Sequence, residues 1–351
     1  MSTRYERMKY VRCGQSGLKL PLVSLGGWHN FEALDRVREL TLKAWDLGIT
    51  HIDLANNYGP PPGIAEIQFG RILKGELAAH RDELIISTKA GYFMWDGPYG
   101  EWGSKKYLTA SLDQSLRRLQ LDYVDIFYSH RFDPDTPLEE TMGALALAIQ
   151  QGKALYAGIS SYPAKAAKKA AKIMAKLRVP LVIHQCAYNM LDRKIEGKVL
   201  EETGDGGMGM IVFCPLAQGL LTNRYLQAIP DDSRAAKPGT FLDKDRITPK
   251  LVATLNKLNA IAKGRGQTLA RLALTWILRE RHVASLLIGA SKPEQIADCA
   301  AVQNDELLSA EELRQIEAIL AELNPPSTPP RPAAQKTPVL KPIRPEPKAA
   351  K

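Results

Sequence analysis

The chain of 351 residues is short of several things, and each shortage excludes something. It has four cysteines, Cys13, Cys186, Cys214 and Cys299, far apart and without metal-ligand or redox spacing. Free thiols in a reducing cytoplasm are expected, with no metal centre and no disulfide framework. No apolar run reaches the ~18 residues that would cross a bilayer, and Met-Ser-Thr-Arg-Tyr-Glu-Arg carries no signal-peptide core, so no membrane role is expected. No Gly-x-Gly-x-x-Gly follows a strand pattern, which disfavours a Rossmann dinucleotide site. Cationic excess is thinner than the net charge of +9 implies. Six cations (Arg331, Lys336, Lys341, Arg344, Lys348, Lys351) less Glu346 put +5 of it in the last 28 residues, leaving +4 elsewhere. That surplus suits a phosphorylated small molecule and gives no argument for nucleic acid.

What is present is regular. Apolar residues make up 45% of the chain, enough for a sizeable core. Residues 8–24 read as a β-hairpin turning at Gly14-Gln15-Ser16-Gly17. Strand and helix patterns then alternate to about residue 302, the mark of βα units around a parallel sheet. Strands are expected near 22–25, 50–53, 84–88, 123–128, 155–159, 181–185, 209–213 and 284–288. Helices are expected near 34–47, 63–78, 105–118, 137–151, 163–176, 193–203, 267–280 and 293–302. Thr136-Pro137-Leu138-Glu139 reads as a cap with proline at the first helical position. Ser309-Ala310-Glu311-Glu312 reads as the capping box of a C-terminal helix over 309–322. The helical pattern at 249–264 has no strand of its own and reads as an insertion after the seventh strand. Residues 324–351 hold nine of the 23 prolines and few large apolar residues. Such a segment cannot bury enough surface to offset its ordering entropy, so a disordered tail is expected beyond one domain over 1–323.

Four polar residues stand just past apolar runs that read as strands. Asp53 and Tyr58 lie in Ile49-Thr50-His51-Ile52-Asp53-Leu54-Ala55-Asn56-Asn57-Tyr58-Gly59. Lys89 closes Leu84-Ile85-Ile86-Ser87-Thr88-Lys89, and His130 closes Tyr123-Val124-Asp125-Ile126-Phe127-Tyr128-Ser129-His130. If the strands neighbour one another in a parallel barrel, all four side chains converge at its carboxyl end, where such barrels keep their active sites. Tyrosine alone, with pKa near ~10, is a weak acid; a nearby ammonium lowers that value. Asp53 would hold Lys89 charged, and His130 would donate a hydrogen bond to a carbonyl oxygen. Gly91–Gly103 carries Tyr92, Phe93, Trp95, Tyr99 and Trp102 and is the candidate substrate wall. Arg131, Lys105 and Lys106 are candidate phosphate contacts. His29, His184, His51, His80 and His282 read as structural.

These motifs resemble those of the aldo-keto reductases, (β/α)8-barrel enzymes whose tetrad is Asp, Tyr, Lys and His. The match runs through Gly48–Asp53 with Tyr58-Gly59, Ile86–Lys89 and Asp122–His130, and residues 8–323 follow the pattern. Asn56–Gly63, Tyr128-Ser129-His130-Arg131 and Pro215–Leu221 are similar to the bacterial L-glyceraldehyde 3-phosphate reductases, near relatives of potassium-channel β subunits. The resemblance implies a (β/α)8 TIM barrel with an N-terminal hairpin plugging its bottom. It implies NADPH-dependent reduction of small aldehydes such as L-glyceraldehyde 3-phosphate or methylglyoxal, with Tyr58 as proton donor and Tyr58, His130, Trp95 and Arg131 around the substrate. A homo-oligomer, tetramer or octamer, is also implied. The alternatives are an NADP(H)-bound redox-sensing regulatory subunit and a barrel enzyme of another class.

Hydride needs a donor, and the loops after the later strands are polar in a way that suits a dinucleotide. Ser160 and Gln185 end two strands and can hold a carboxamide. Cys214–Gly219 can offer backbone N–H groups to a pyrophosphate. Gly289-Ala290-Ser291 before a helix is a phosphate site. The resemblance assigns Trp28, Asp53, Ser160, Gln185, Leu216 and Gln218 to the nicotinamide and pyrophosphate of NADP(H). It assigns Arg224, Ser291 and Gln295 to the adenosine end, Arg224 and Ser291 facing a 2′-phosphate. Two positions depart from the family: Cys299 replaces an Asn that bonds adenine, and Cys214 stands where Ser or Thr is commoner.

Overall fold

A computed structural model describes residues 3–231, 233–236 and 242–323. Strands β1 (Tyr10–Arg12) and β2 (Lys19–Pro21) pair antiparallel, Val11 opposite Leu20. Eight further strands follow: β3 (Val23–Gly26), β4 (His51–Asp53), β5 (Ile85–Ala90), β6 (Val124–Ser129), β7 (Ala154–Ser160), β8 (Leu181–Ala187), β9 (Gly209–Phe213) and β10 (Val283–Ile288). Each pairs in parallel with the next and β10 returns to β3, closing the expected (β/α)8 barrel. Around it lie α1 (Leu34–Asp46), α2 (Ile64–Lys74), α3 (Lys105–Leu119), α4 (Leu138–Gln150), α5 (Ala164–Lys176), α6 (Lys198–Asp205), α7 (Pro249–Gly264), α8 (Leu269–Ile277), α9 (Pro293–Ala300) and α10 (Ala310–Leu323).

The period-two alternation of each strand divides its side chains between two cores. Val23, Leu25, Ile52, Ile86 and Phe127 join the core shared with the helices. Ile126, Tyr128, Ile183 and Ile211 belong to the second core, which includes Cys13, Leu18 and Leu20 of the hairpin. A Cβ at Gly158 would lie 2.5 Å from the Tyr128 ring, so glycine is what admits that ring. Each large apolar side chain so buried contributes roughly 1.5–3 kcal/mol.

Local differences from the expected boundaries have local causes. The helix expected over 193–203 begins at Lys198 because Gly197, at φ 78°, breaks the helical backbone before it. Asn189 ties the preceding turn, its Oδ1 accepting from the N–H groups of Leu191 and Asp192. The helix expected over 63–78 stops at Lys74, with Gly75 as C-cap and a 3₁₀ turn over Ala78–Glu83. Pro137 is itself the N-cap of α4, at ψ 125°, rather than its first helical residue. The Ser309 capping box forms: its N–H donates to Glu312 Oε2 at 2.7 Å and its Oγ accepts from the Glu312 N–H at 3.2 Å. The insertion after β9 holds α7, tied to α10 by Lys257–Glu322 at 2.5 Å, while Arg265 just past α7 pairs with Glu312 at 2.5 Å. The tail expected over 324–351 lies outside the described residues. Among the described residues no helix is long and apolar enough to cross a membrane.

Candidate active site

Parallel register brings the four tetrad residues to one end of the barrel. Asp53 lies opposite Ser87, and Lys89 opposite Tyr128. Lys89 Nζ is 2.5 Å from Asp53 Oδ2, 2.7 Å from the Leu54 carbonyl and 3.3 Å from the Tyr58 hydroxyl. Asp53 Oδ1 accepts from Ser87 Oγ at 2.6 Å and from Gln185 Nε2 at 3.2 Å. Lys89 is wholly buried and Asp53 nearly so. Burial pulls the Lys89 ammonium down and Asp53 opposes it. The greater acidity expected for Tyr58 does not follow: burial first, then Asp53, Cys214 and Tyr92, hold its hydroxyl well above the usual phenol range. Tyr58 is therefore kept as the neutral phenol, a proton in hand beside a cation that can stabilise the anion. His130 follows β6, its ring centroid 6.0 Å from that of Tyr58. Burial, then Lys89 and Arg131, keep its imidazole neutral at ordinary pH.

The loops holding these groups are fastened from behind. The Asn56 backbone N–H donates to the Lys89 carbonyl and its side chain to the Tyr107 hydroxyl, both at 2.9 Å. Glu66 of α2 is fully buried; it accepts from Thr88 Oγ1 at 2.5 Å and from Arg118 Nε at 2.7 Å, joining α2, β5 and α3 beneath the Tyr58 loop. Gly91–Gly103 holds neither helix nor strand. Of its aromatics, Tyr92 meets His130 edge-on at 4.6 Å, whereas Trp95 leans on Tyr107 at 5.3 Å. Arg131 lies 3.5 Å from the Trp102 ring centroid and 4.3 Å from that of Tyr92, its Nε bonded to the Gly91 carbonyl and its Nη2 to Glu101. The charge read as a phosphate contact thus already clamps the loop. Lys105 and Lys106 are exposed at the start of α3, Lys106 over the Tyr99 ring.

Most of the candidate dinucleotide residues lie at the carboxyl ends of β7 and β8 or in the segments that follow β9 and β10. Ser160 and Gln185 are opposite one another at the ends of β7 and β8. Cys214, Ala217 and Gln218 all have left-handed φ, at 54°, 48° and 59°. Gln218 Oε1 is buried without a hydrogen-bond partner. Leu216 and Arg224 lie half-buried in the same segment, and Trp28 half-buried after β3 with its ring 3.9 Å from that of His29. Gln295 on α9 reaches back to Ser291, accepting from its N–H at 2.8 Å and its hydroxyl at 3.2 Å. Cys299 is buried in the core and does not share the exposed surface of Ser291 and Gln295. Two neighbours were not read from the sequence. Arg234 acts on both Cys214 and His29, and Asn189 Nδ2 donates to the Cys214 carbonyl at 2.9 Å. Arg234 sits in the irregular insertion, where no periodicity marks a residue.

Residues 22–321 match the aldo/keto reductase family. The chain belongs to that family. This aldo-keto reductase is 54% identical over 328 residues to the L-glyceraldehyde 3-phosphate reductases of Escherichia coli O157:H7 and of strain K12, covering 91% of its own length and 94% of theirs. It is 37% identical over 320 residues to a putative voltage-gated potassium channel subunit beta of Schizosaccharomyces pombe, covering 88% and 92%. The holo form of an aldo-keto reductase from Bacillus halodurans shares its fold at a TM-score of 0.72 and 28% identity, covering 89% of this chain and 96% of that one.

Proposed function

We propose that this aldo-keto reductase uses NADPH to reduce small hydroxylated or phosphorylated aldehydes, L-glyceraldehyde 3-phosphate foremost and methylglyoxal also. The observation that carries the reading is Lys89 Nζ set between Asp53 and the Tyr58 hydroxyl. The cofactor, when bound, supplies the hydride. Tyr58 gives its proton to the carbonyl oxygen, and Lys89, held by Asp53, stabilises the phenolate that remains. The neutral His130 imidazole orients the substrate oxygen, with Tyr92 and the Arg131-clamped loop as the wall beside it. General acid catalysis of this kind contributes roughly 10²–10⁴-fold.

The chain's own groups fit a dinucleotide. Left-handed residues at 214, 217 and 218 and the unpartnered Gln218 Oε1 form a polar cradle after β9. Ser160, Gln185 and Trp28 would hold the nicotinamide, and Leu216 and Gln218 the pyrophosphate. Arg224, Ser291 and Gln295 would hold the adenosine end, which favours NADPH over NADH. Identity of 54% to named reductases, against 37% to a channel subunit, favours catalysis over a regulatory role. Steady-state rates with NADPH or NADH and a panel of aldehydes, including both glyceraldehyde 3-phosphate enantiomers, test this. Preference for NADPH and for the L enantiomer is expected; no aldehyde-dependent NADPH oxidation would overturn the reading.

A further inference from the structure

Below the tetrad a continuous hydrogen-bond chain runs through the barrel to the hairpin. Asp53 Oδ1 meets Ser87 Oγ at 2.6 Å, Ser87 Oγ meets His51 Nε2 at 3.0 Å, and His51 Nδ1 meets Ser24 Oγ at 2.9 Å. Ser24 Oγ then meets Ser285 Oγ at 2.6 Å, and Ser285 Oγ meets the Pro21 carbonyl at 2.6 Å. His51 and all three serines are fully buried. Both ends of the chain, a carboxylate and a carbonyl, only accept. Each serine hydroxyl can donate once.

Counting protons shows what the chain requires. Five links need five protons. Three hydroxyls and one ring N–H of a neutral imidazole supply four. Donation must therefore run outward from His51 along both arms, which takes a proton on each ring nitrogen. His184 is the contrast: its Nε2 accepts from the Tyr162 N–H at 3.2 Å and its Nδ1 meets Thr203 Oγ1 at 3.0 Å, a pattern the neutral ring completes.

We propose that this chain holds a fifth proton, resting on His51 and shared with Asp53 through Ser87, which makes His51 a positioning residue for the tetrad. It extends the reductase reading and rests on it only for its consequence in turnover. When Lys89 has passed a proton to the Tyr58 phenolate, the Asp53 carboxylate loses its counter-charge. One concerted shift answers that loss: the His51 Nε2 proton moves to Ser87 Oγ while the Ser87 hydroxyl proton moves to Asp53 Oδ1. No atom is gained or lost, and His51 is left neutral with Nδ1–H toward Ser24. The reverse shift follows when Lys89 is reprotonated.

Opposing terms act on the cation. Burial, the largest, pulls His51 down, Asp53 raises it and Lys89 lowers it, together leaving it at about 4. Against burial stands the hydrogen bond that the neutral ring leaves unmade, worth about ten- to hundredfold in favour of the cation. The cation is accordingly sought at about pH 5, about one pH unit above the value that burial, Asp53 and Lys89 together leave.

The test is ¹⁵N NMR of the full-length protein labelled at the histidine ring nitrogens, with the His51 signals assigned by their loss in His51→Asn. Two protonated ring nitrogens on His51 are expected at about pH 5, against one on His184. Ser285→Ala removes two links and two protons' worth of demand, so three links remain with three protons for a neutral ring; Nδ1 should then lose its proton while Nε2 keeps it. Ser24→Ala predicts the same spectrum and serves if Ser285→Ala does not fold. An unprotonated His51 nitrogen in the unmutated protein, or a doubly protonated ring in either variant, overturns the proposal. These spectra hold whatever the substrate is, so they fail separately from the reductase reading. In turnover, Ser285→Ala should lower kcat about tenfold with NADPH binding unchanged; an unaltered kcat would remove the link to catalysis.

Discussion

Replacing Lys89 by methionine isolates what the buried ammonium does for the fold. Its Nζ contacts Asp53 Oδ2 at 2.5 Å, the Leu54 carbonyl at 2.7 Å and the Tyr58 hydroxyl at 3.3 Å, with no exposure to solvent. Methionine preserves most of the volume, so the effect is electrostatic. Asp53 would keep Ser87 and Gln185 as donors, at 2.6 and 3.2 Å, and would lose the ammonium paired with it. Breaking a buried pair in this way costs about 3–5 kcal/mol. Removing both charges in Lys89→Met with Asp53→Asn should cost less than the sum of the single changes, by up to about 3 kcal/mol. Urea unfolding followed by circular dichroism at neutral pH measures both. A loss under about 1 kcal/mol, or strict additivity in the double variant, would refute the argument.

Other expectations concern packing, titration and the substrate wall. In Gly158→Ala the new methyl lies 2.5 Å from the Tyr128 ring and 2.7 Å from Ile183, so a loss of about 1–3 kcal/mol is expected in the same unfolding assay. His184 is fully buried and pulled down to about 3, so the unfolded chain takes up a proton there that the folded chain refuses. Its contribution is complete above the ordinary histidine value and is lost as pH falls from about 6.5 toward 3, at about 1.4 kcal/mol per pH unit; His184→Gln should flatten that part of the stability profile. Glu101→Gln frees one arm of the Arg131 clamp and should raise KM roughly two- to fivefold while kcat holds; an unchanged KM in steady-state kinetics would show that the loop does not contact substrate.

The barrel strands could be read from sequence to within a residue or two because a parallel strand buried on both faces is a short apolar run between polar turns. Asp53, Lys89 and His130 could be read because they end such runs, and Tyr58 because it follows one. Three kinds of information stayed hidden. The spacing of Ile195 suggests a helix from residue 193, whereas Gly197 and the Asn189 turn break the backbone before Lys198. A lysine beside Tyr58 suggests an acidified phenol, whereas burial dominates, and its extent depends on the whole surrounding fold. His51 read as structural because Ser24, Ser87 and Ser285 come from three different strands, and nothing local marks them as one chain. The clamp on Arg131, a candidate phosphate contact, is hidden for the same reason: Glu101 and Trp102 reach it only through the folded loop.

Tyr58→Phe reaches the heart of the mechanism, since it removes one hydroxyl and leaves the ring in place. With NADPH and L-glyceraldehyde 3-phosphate, kcat should fall about 10²-fold or more while the NADPH dissociation constant, read by quenching of tryptophan fluorescence, stays nearly unchanged. Turnover at the unmutated rate would show that the proton comes from elsewhere and would contradict the assignment of Tyr58.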